Sequence, residues 1–111
     1  MSIDKLQAGH LRQKLLSTWE IQKLAEMSRR GGEVDMHPTQ YTPDTIRRID
    51  QMVEKGLVVI VDPASRGRIT LPLAGNVGRI TARCGSRISL LMTDEGRAIQ
   101  ASLDMTVKAT G

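Results

Sequence analysis

The sequence predicts a small α+β domain, and two short stretches carry most of that prediction. Residues 49–60 (IDQMVEKGLVVI) have the pattern of a helix that ends at Gly56 and leads directly into an apolar strand. Residues 90–99 (LLMTDEGRAI) have the pattern of a strand that ends at Thr93, a residue type that caps helices, followed by another helix. A segment rich in glycine and arginine lies between them, so the predicted order is helix, strand, basic connection, strand and helix.

Length and composition restrict the chain to one domain with a modest core. The 111 residues suffice for a single core. Because the only aromatic residues are Trp19 and Tyr41, that core must consist mainly of Leu, Ile, Val, Met and Ala. So few aromatic side chains argue against a base-stacking surface for single-stranded nucleic acids.

Cysteine content and hydropathy indicate a cytoplasmic protein. The single cysteine, Cys84, excludes an internal disulfide bond and fits a reducing compartment. No apolar run in the sequence has the length of a membrane span, and the first ten residues lack the apolar core of a signal peptide. We therefore expect a cytoplasmic location and no membrane partner.

Two helices are predicted in the first 30 residues. Leucines at i, i+4 spacing give residues 3–16 an amphipathic pattern. Ser17 and Glu20 have the spacing of a capping box and predict a second helix over residues 18–29. The following residues, 30–42, are largely turn formers without a period, so they are predicted to be a long connection.

The third predicted helix spans residues 43–55 and has two distinct faces. Thr42 is its cap and Pro43 its first residue, a position that suits proline. Its apolar arc comprises Ile46, Ile49 and Val53, and its polar arc comprises Asp44, Arg47, Arg48, Gln51 and Lys55. We expect the apolar arc to pack on the core and the polar arc to face solvent.

Residues 57–92 are predicted to form an extended β region with two hairpins. The apolar run 57–61 predicts a buried strand, and residues 68–73 a return strand that its proline restricts to an edge. Residues 78–84 alternate, with Ile80, Ala82 and Cys84 on the inner face and Arg79, Thr81 and Arg83 on the outer face. Gly85-Ser86 has the form of a two-residue hairpin turn that leads into a last strand, residues 87–92.

The last predicted helix spans residues 94–105. Thr93 is its cap, and Asp94 and Glu95 occupy its first turn, where the helix dipole favours anions. All of these elements are assigned to one domain over residues 1–111.

Basic residues are concentrated in the β region. The formal net charge of the chain is +4, and 11 of its 16 basic residues are arginines. Between residues 57 and 93 the only acid is Asp62, whereas the arginines are Arg66, Arg68, Arg79, Arg83 and Arg87. Because arginine makes fork-like contacts with phosphates and guanine, a polyanion is a candidate partner.

These features predict a DNA-binding surface. A helix with one apolar and one polar face can rest on a core and present its polar face to a major groove. The candidate contacts are Arg47, Arg48 and Gln51 on the third helix, and Arg66, Arg68, Arg83 and Arg87 beside the two hairpin turns, which would bind phosphates or the minor groove. Asp44 and Glu54 share the exposed side of the helix and would oppose phosphate, and a charged helix face is often simply solvated.

Three short motifs resemble the winged helix-turn-helix domains of bacterial transcriptional regulators of the MarR and PadR type. They are residues 21–25 (IQKLA), residues 49–58 with their Gly-Leu-Val end, and residues 91–96 (LMTDEG). The resemblance covers residues 18–101 and implies three N-terminal helices, an extended β-hairpin wing and a C-terminal helix. It also implies sequence-specific binding of double-stranded DNA by a homodimeric regulator of transcription.

The sequence departs from that pattern in ways that keep a second interpretation open. The interval from Gly56 to Thr93 is longer than a usual wing, the flanks are short for terminal dimerisation helices, and Asp44 stands where a small polar residue is common. The alternative is a winged-helix module that binds another protein, or a phage-type accessory or inhibitor protein that does not bind DNA itself. Double-stranded RNA is a third candidate partner for the same basic face.

No motif of an enzyme or of a metal site is present in the sequence. His10, His37 and Cys84 lack ligand spacing, and there is no phosphate-binding loop, dinucleotide fingerprint or nucleophile elbow. Cys84 is expected on the inner face of a strand, where a thiol behaves as a small apolar group. We therefore expect no enzymatic activity, no cofactor and no metal.

Overall fold

The computed structural model describes residues 16–110, with side chains up to residue 104, and shows a small α+β domain. Its elements within this range are helix α1 (Thr18–Arg29), strand β1 (Glu33–Met36), a 3-10 helix (Pro38–Gln40), helix α2 (Pro43–Glu54), strand β2 (Val58–Val61), strand β3 (Arg68–Ile69), helix α3 (Val77–Cys84), strand β4 (Ile88–Met92) and helix α4 (Asp94–Thr110). The predicted helix over residues 3–16 lies outside the described residues, except for Leu16, which is buried. Over the part of the chain that is described, none of the helices combines the length and apolar character needed to cross a bilayer.

The strands form one antiparallel sheet in the order β1-β4-β2-β3. In its central pair, Val58 of β2 faces Met92 of β4, and Val61 faces Ser89. Because side chains alternate along a strand, one face of the sheet carries the buried residues Val34, Met36, Val58, Ile60, Ile88, Leu90 and Met92. This face and the helices enclose the core.

The capping residues place α1 and α2 as predicted. The Ser17 hydroxyl accepts a hydrogen bond from the Glu20 backbone N–H (3.1 Å), and the Glu20 carboxylate accepts one from the Ser17 N–H (2.9 Å). Thr42 caps α2 by accepting the N–H of Thr45 (3.2 Å). The buried residues of α2 are Ile46, Ile49 and Met52.

The two stretches that predict the fold are in direct contact. The Thr93 hydroxyl donates to the backbone carbonyl oxygens of Gly56 (2.5 Å) and Leu57 (3.1 Å), and it accepts the N–H of Gly96 (2.9 Å). A Cβ atom on Gly96 would lie 2.2 Å from the Leu57 carbonyl oxygen, so only glycine permits this approach. The start of α4 is thereby fixed against the junction of α2 and β2.

The prediction of a strand over residues 78–84 is wrong, because this segment belongs to α3. Ile80 is buried, Cys84 is half-buried and Ala82 is exposed, which is a helical rather than an alternating pattern. The place beside β4 that the predicted strand would take is occupied by β1, which lies in a region predicted to be an irregular connection. With β1 and β2 on its two sides, β4 has no free edge for a further strand.

Of the two predicted hairpins, the first is confirmed in shortened form and the second is wrong. β2 and β3 pair around the turn 62–67, but β3 has two residues instead of the predicted 68–73. Gly85, with φ of +77°, ends α3 and does not form a hairpin turn. The longer strand pair is β2 with β4, so residues 62–87 are the connection between these two strands.

Asp50 of α2 anchors this connection to the core. Its carboxylate oxygens accept the backbone N–H groups of Leu73 (2.7 Å) and Ala74 (2.9 Å). Leu73 is fully buried, and α3, which begins three residues after Ala74, packs against the 3-10 helix. The position of α3 is thus set by contacts with α2 and with the 3-10 helix.

Candidate nucleic-acid interface

The seven predicted contact residues lie in three groups instead of on one surface. The first group is on α2, the second is beside the acids of β1, and the third lines a cleft between β3 and α3. Their members are, in that order, Arg47, Arg48 and Gln51; Arg66 and Arg87; and Arg68 and Arg83. The groups differ in whether their arginines have acidic partners.

One carboxylate holds both arginines of α2. Arg47 Nη2 donates to one oxygen of Asp44 (2.5 Å), and Arg48 Nε donates to the other (2.9 Å). The hydrogen bonds from Arg48 and then from Arg47 lower the pKa of Asp44, so the carboxylate stays ionised at neutral pH. Arg48 also lies over Trp19, 5.9 Å from the centroid of its ring. Arg47 is 67% exposed and Gln51 is exposed, so these two side chains face solvent.

Arg66 and Arg87 are paired with acids of β1. Arg66 donates to both carboxylate oxygens of Glu33, at 2.9 and 2.8 Å, and this bond lowers the pKa of Glu33 and raises that of Arg66. Arg87 Nη1 lies 3.8 Å from Oδ2 of Asp35, and the buried Ser89 donates its hydroxyl to Oδ1 of the same carboxylate (2.6 Å). A phosphate would have to displace Glu33 from Arg66, and Asp35 competes more weakly, at 3.8 Å, for Arg87, so the second group is less suited than the third to bind an anion.

The third group lines a cleft of about 230 Å³ between β3 and α3. Arg68 belongs to β3 and Arg83 to α3, where Arg79 lies one helical turn before it. Among the described residues, none of these three arginines is in an ion pair. The other lining residues are Asp62, Ser65, Gly67, Ile69, Thr70, Leu71, Ile80 and Cys84. We call this site the arginine cleft.

One acid, Asp62, also lines the arginine cleft. Its carboxylate accepts the backbone N–H of Ala64 (2.9 Å) in the turn after β2. That hydrogen bond is the main reason why the pKa of Asp62 is lowered, so the carboxylate is ionised at neutral pH. Three guanidinium groups and one carboxylate leave the lining with a formal charge of +2.

Arg79 is the cleft residue that sequence reasoning missed. On a strand over residues 78–84, Arg79 lies far from both predicted hairpin turns and therefore is not among the predicted contacts. In α3 it is an i, i+4 neighbour of Arg83 on one helix face. The signal that could have found it is the spacing of Val77, Ile80 and Cys84, which recur at helical positions i, i+3 and i+7.

Cys84 lies in the arginine cleft as a neutral thiol. Burial and then the negative charge of Asp62 raise the pKa of Cys84, and these effects outweigh the lowering effect of Arg83. The residue is half-buried on α3, not on the inner face of a strand as predicted. Because the thiolate is the reactive form, this cysteine is a weak nucleophile. The cleft is therefore better suited to binding an anion than to covalent chemistry.

The described residues show no metal site, and the comparisons with known proteins give no relative. Among the described residues, no group of three or more His, Cys, Asp or Glu side chains is placed to hold a metal ion. No model of a protein family, no curated protein and no solved structure matches this chain. The arginine cleft is the feature with the clearest chemical character.

Proposed function

We propose that this protein binds double-stranded DNA through a winged-helix surface and regulates transcription in the cytoplasm. The observation that carries the proposal is the arginine cleft. Arg68, Arg79 and Arg83 line it, and none of them has an ion-pair partner among the described residues. Guanidinium groups that are not held by carboxylates are available to phosphate oxygens, which they bind through two parallel N–H donors.

The connection between β2 and β4 supports the role of a wing. These two strands pair from Val58–Met92 to Val61–Ser89, and the residues that join them carry all three cleft arginines. α2 directly precedes β2 in the chain. A helix followed by a strand pair with a basic connection is the order that the resemblance to MarR and PadR regulators implies.

α2 is the proposed recognition helix. Arg47 and Gln51 are exposed on it, and these residue types read the edges of guanine and adenine. Asp44 holds both arginines, but Arg48 also lies over the Trp19 ring and is only 38% exposed, so we assign Arg48 a supporting role and propose that the more exposed Arg47 exchanges Asp44 for a base. Base contacts are therefore proposed for Arg47 and Gln51, and phosphate contacts for the arginine cleft.

A homodimer is a separate part of the proposal. Dimeric regulators bind two half-sites about one helical turn apart, so that one protein twofold axis matches one DNA twofold axis. Sedimentation of the free protein tests this: a dimer has twice the 12.2 kDa mass of the chain. A species of monomer mass both alone and on the duplex would contradict the homodimer without affecting the DNA proposal.

Fluorescence anisotropy with a random duplex, titrated at several salt concentrations, tests DNA binding. Each phosphate contact contributes about 0.9 to the slope of log affinity against log salt. Arg79→Gln is expected to flatten that slope by about one unit and to weaken binding to all sequences alike. Arg29→Gln is the matched control, because it removes one exposed arginine from α1, outside the proposed surface.

Two results would contradict the DNA proposal. One is the absence of wild-type binding at low salt, where phosphate contacts are strongest. The other is an equal salt slope for the Arg79→Gln and Arg29→Gln variants, since that would remove the arginine cleft from the contact surface.

A module that binds another protein is the second candidate, and an apolar groove beside α2 favours it. The groove, of about 300 Å³, lies between the 3-10 helix, the start of α2 and residues 74–77. Tyr41 lines it and is 36% exposed, and exposed aromatic residues are enriched in protein interfaces. Wild-type protein that binds no duplex at low salt would favour this candidate over DNA binding.

A further inference from the structure

We infer that the arginine cleft is a binding site for a phosphate monoester, the doubly charged phosphate of a DNA 5′ end or of a small phosphorylated compound. The inference rests on the proposed function only where the phosphate belongs to DNA. It goes beyond that function because the phosphates inside a duplex are diesters, each with a single negative charge. The cleft would thus recognise a phosphate that most of the duplex does not offer.

The charge of the cleft matches a dianion. Arg68, Arg79 and Arg83 against Asp62 give a formal charge of +2. A phosphate monoester carries about −1.5 to −2 charges at neutral pH, because its second pKa is about 6. The hydrogen bond from Ala64 keeps Asp62 ionised, so the balance of +2 holds at neutral pH.

The arginines come from two elements that face each other. Arg68 is on β3, whereas Arg79 and Arg83 are on successive turns of α3. A phosphate between these elements can receive donors from opposite sides, which a single helix face cannot provide. Charge-assisted bonds of this kind are about twice as strong as neutral hydrogen bonds. This two-sided arrangement is the geometric argument for a site that binds one phosphate from both elements.

The shape of the cleft favours a phosphate at the end of a molecule. Its volume of about 230 Å³ is smaller than the roughly 300 Å³ at which pockets for drug-sized ligands begin. It therefore admits a phosphate and a small part of the group that bears it. A diester inside a duplex has a sugar on both sides and lies on a convex surface, so it can contact the exposed arginines at the rim, as proposed for duplex binding, but it cannot enter the cleft.

The remaining lining suits the group attached to the phosphate. Ile69, Leu71 and Ile80 provide apolar surface, and Ser65 and Thr70 provide hydroxyl groups. Leu71 lines the cleft and is 37% exposed, so it offers apolar surface that an attached group can cover. This mixture favours a sugar, which has both carbon-bound faces and hydroxyl groups, over a bare ion.

The first experiment titrates the wild-type protein with inorganic phosphate, adenosine 5′-monophosphate and adenosine, and follows backbone amide NMR shifts. We expect both phosphates to shift the resonances of residues 67–71 and 79–84, and adenosine to bind at least about tenfold more weakly, a difference of about 1.4 kcal/mol. Binding should weaken as the pH falls below about 6, where the monoester takes up its second proton. Equal shifts with adenosine, or shifts confined to other residues, would overturn the inference.

Variants locate the site. In Arg79→Gln/Arg83→Gln, phosphate binding is expected to be lost. The control Arg29→Gln/Arg30→Gln changes the last residue of α1 and the residue that caps it, removes the same charge, and should bind phosphate as the wild type does. Circular dichroism melting establishes that both variants are folded. Because all four replaced arginines are exposed, we expect both double variants to fold. Equal phosphate affinity in the two variants would overturn the inference.

The second experiment separates the two sources of the phosphate and separates this inference from DNA binding. A duplex with 5′-phosphates and the same duplex with 5′-hydroxyl groups are compared by anisotropy. Tighter binding of the phosphorylated duplex would support the DNA end as the source, and equal binding together with the NMR shifts would support a free phosphate ester. Suppose that the protein binds the duplex, that 5′-phosphates do not change its affinity, and that neither inorganic phosphate nor adenosine 5′-monophosphate shifts the NMR resonances. That result would overturn the inference and leave the proposed function intact. Phosphate binding without duplex binding would support this inference, with a free phosphate ester as the ligand, and would contradict the proposed DNA binding.

Discussion

The guanidinium group of Arg66 donates to both carboxylate oxygens of Glu33, at 2.9 and 2.8 Å, and so links the turn before β3 to β1. These are the two outer strands of the sheet, and the residues are 33 positions apart in the chain. Arg66 adopts a positive φ of 63°, a conformation that few residues other than glycine adopt. The arginine of this turn, Arg66, therefore forms an ion pair within the protein.

Replacing Arg66 is expected to leave DNA binding nearly unchanged. Arg66→Gln removes the same charge as Arg79→Gln, but Glu33 already neutralises the Arg66 guanidinium. The salt slope of duplex binding should therefore stay close to that of the wild type, whereas Arg79→Gln should flatten it by about one unit. Anisotropy titrations of the two variants side by side measure the difference. A flatter slope for Arg66→Gln would show that DNA displaces Glu33 from the pair.

Replacing Asp44 is expected to strengthen DNA binding of every sequence. Asp44→Asn releases Arg47 and Arg48 from the carboxylate that holds both and removes a negative charge from α2. We expect a several-fold gain in affinity at low salt and a steeper salt slope, with weaker discrimination between sequences. Glu54→Gln is the control, because it removes the same charge from the exposed end of α2 without releasing an arginine. If both variants gain equally, only net charge matters and Asp44 does not restrain the arginines.

Protonation of Glu20 is expected to destabilise the protein in acid. Burial alone would raise the pKa of Glu20, but the hydrogen bonds from Lys55 (2.7 Å) and the Ser17 N–H outweigh it, so the pKa lies below its ordinary value of 4.5. A lowered pKa means that this contribution to stability is complete well above pH 4.5 and is lost as the pH falls through the folded-state pKa. Urea unfolding between pH 7 and pH 3 measures the loss.

Glu20→Gln isolates that contribution. At neutral pH it should cost about 1–3 kcal/mol of unfolding free energy, because a buried charged hydrogen bond is lost, and its stability should fall less steeply with acid than that of the wild type. Glu26→Gln on the same helix is the control, since Glu26 is 39% exposed and its pairs with Lys23 and Arg30 are 3.7 and 3.8 Å long. Parallel pH curves for the wild type and Glu20→Gln would contradict the assignment.

Two glycine substitutions should have opposite effects on stability. In Gly78→Ala the added Cβ meets no atom within 4 Å, and alanine favours a helix over glycine by about 0.5–1 kcal/mol. In Gly96→Ala the Cβ would lie 2.2 Å from the backbone oxygen of Leu57, which cannot rotate away, so we expect a loss of about 1–3 kcal/mol. Thermal unfolding of both variants gives the comparison. Destabilisation by Gly78→Ala would argue against a helix at this position.

The parts of the fold that local signals encode were predictable from the sequence. The start of α1 follows from the Ser17–Glu20 capping box, the start of α2 from Thr42 and Pro43, and the start of α4 from Thr93. Each of these capping residues bonds to a residue three positions later in the chain, and each bond favours the start of a helix. The structure confirms all three helices at the predicted starts.

The parts that depend on distant partners were not predictable. β1 is four residues long and is stabilised by β4, more than 50 residues later in the chain. Residues 78–84 fit both a strand and a helix, and the outcome depends on β1 having already taken the edge of β4. The ion pairs of Arg66 and Arg87 involve β1 acids, so the division of the arginines into held and available groups depends on the same missed strand.

The central position of β4 also fixes the order in which the domain can be assembled. β1 pairs with β4, and among the described strands β2 has no neighbour besides β4 except the two-residue β3, so the sheet cannot close before residues 88–92 have emerged from the ribosome. Until then β1 (Glu33–Met36) and β2 (Val58–Val61) lack their main partner, and their apolar residues remain exposed to chaperones or to other chains. We therefore expect the domain to fold after most of it has been synthesised, and we expect loop closure between distant segments to slow its folding.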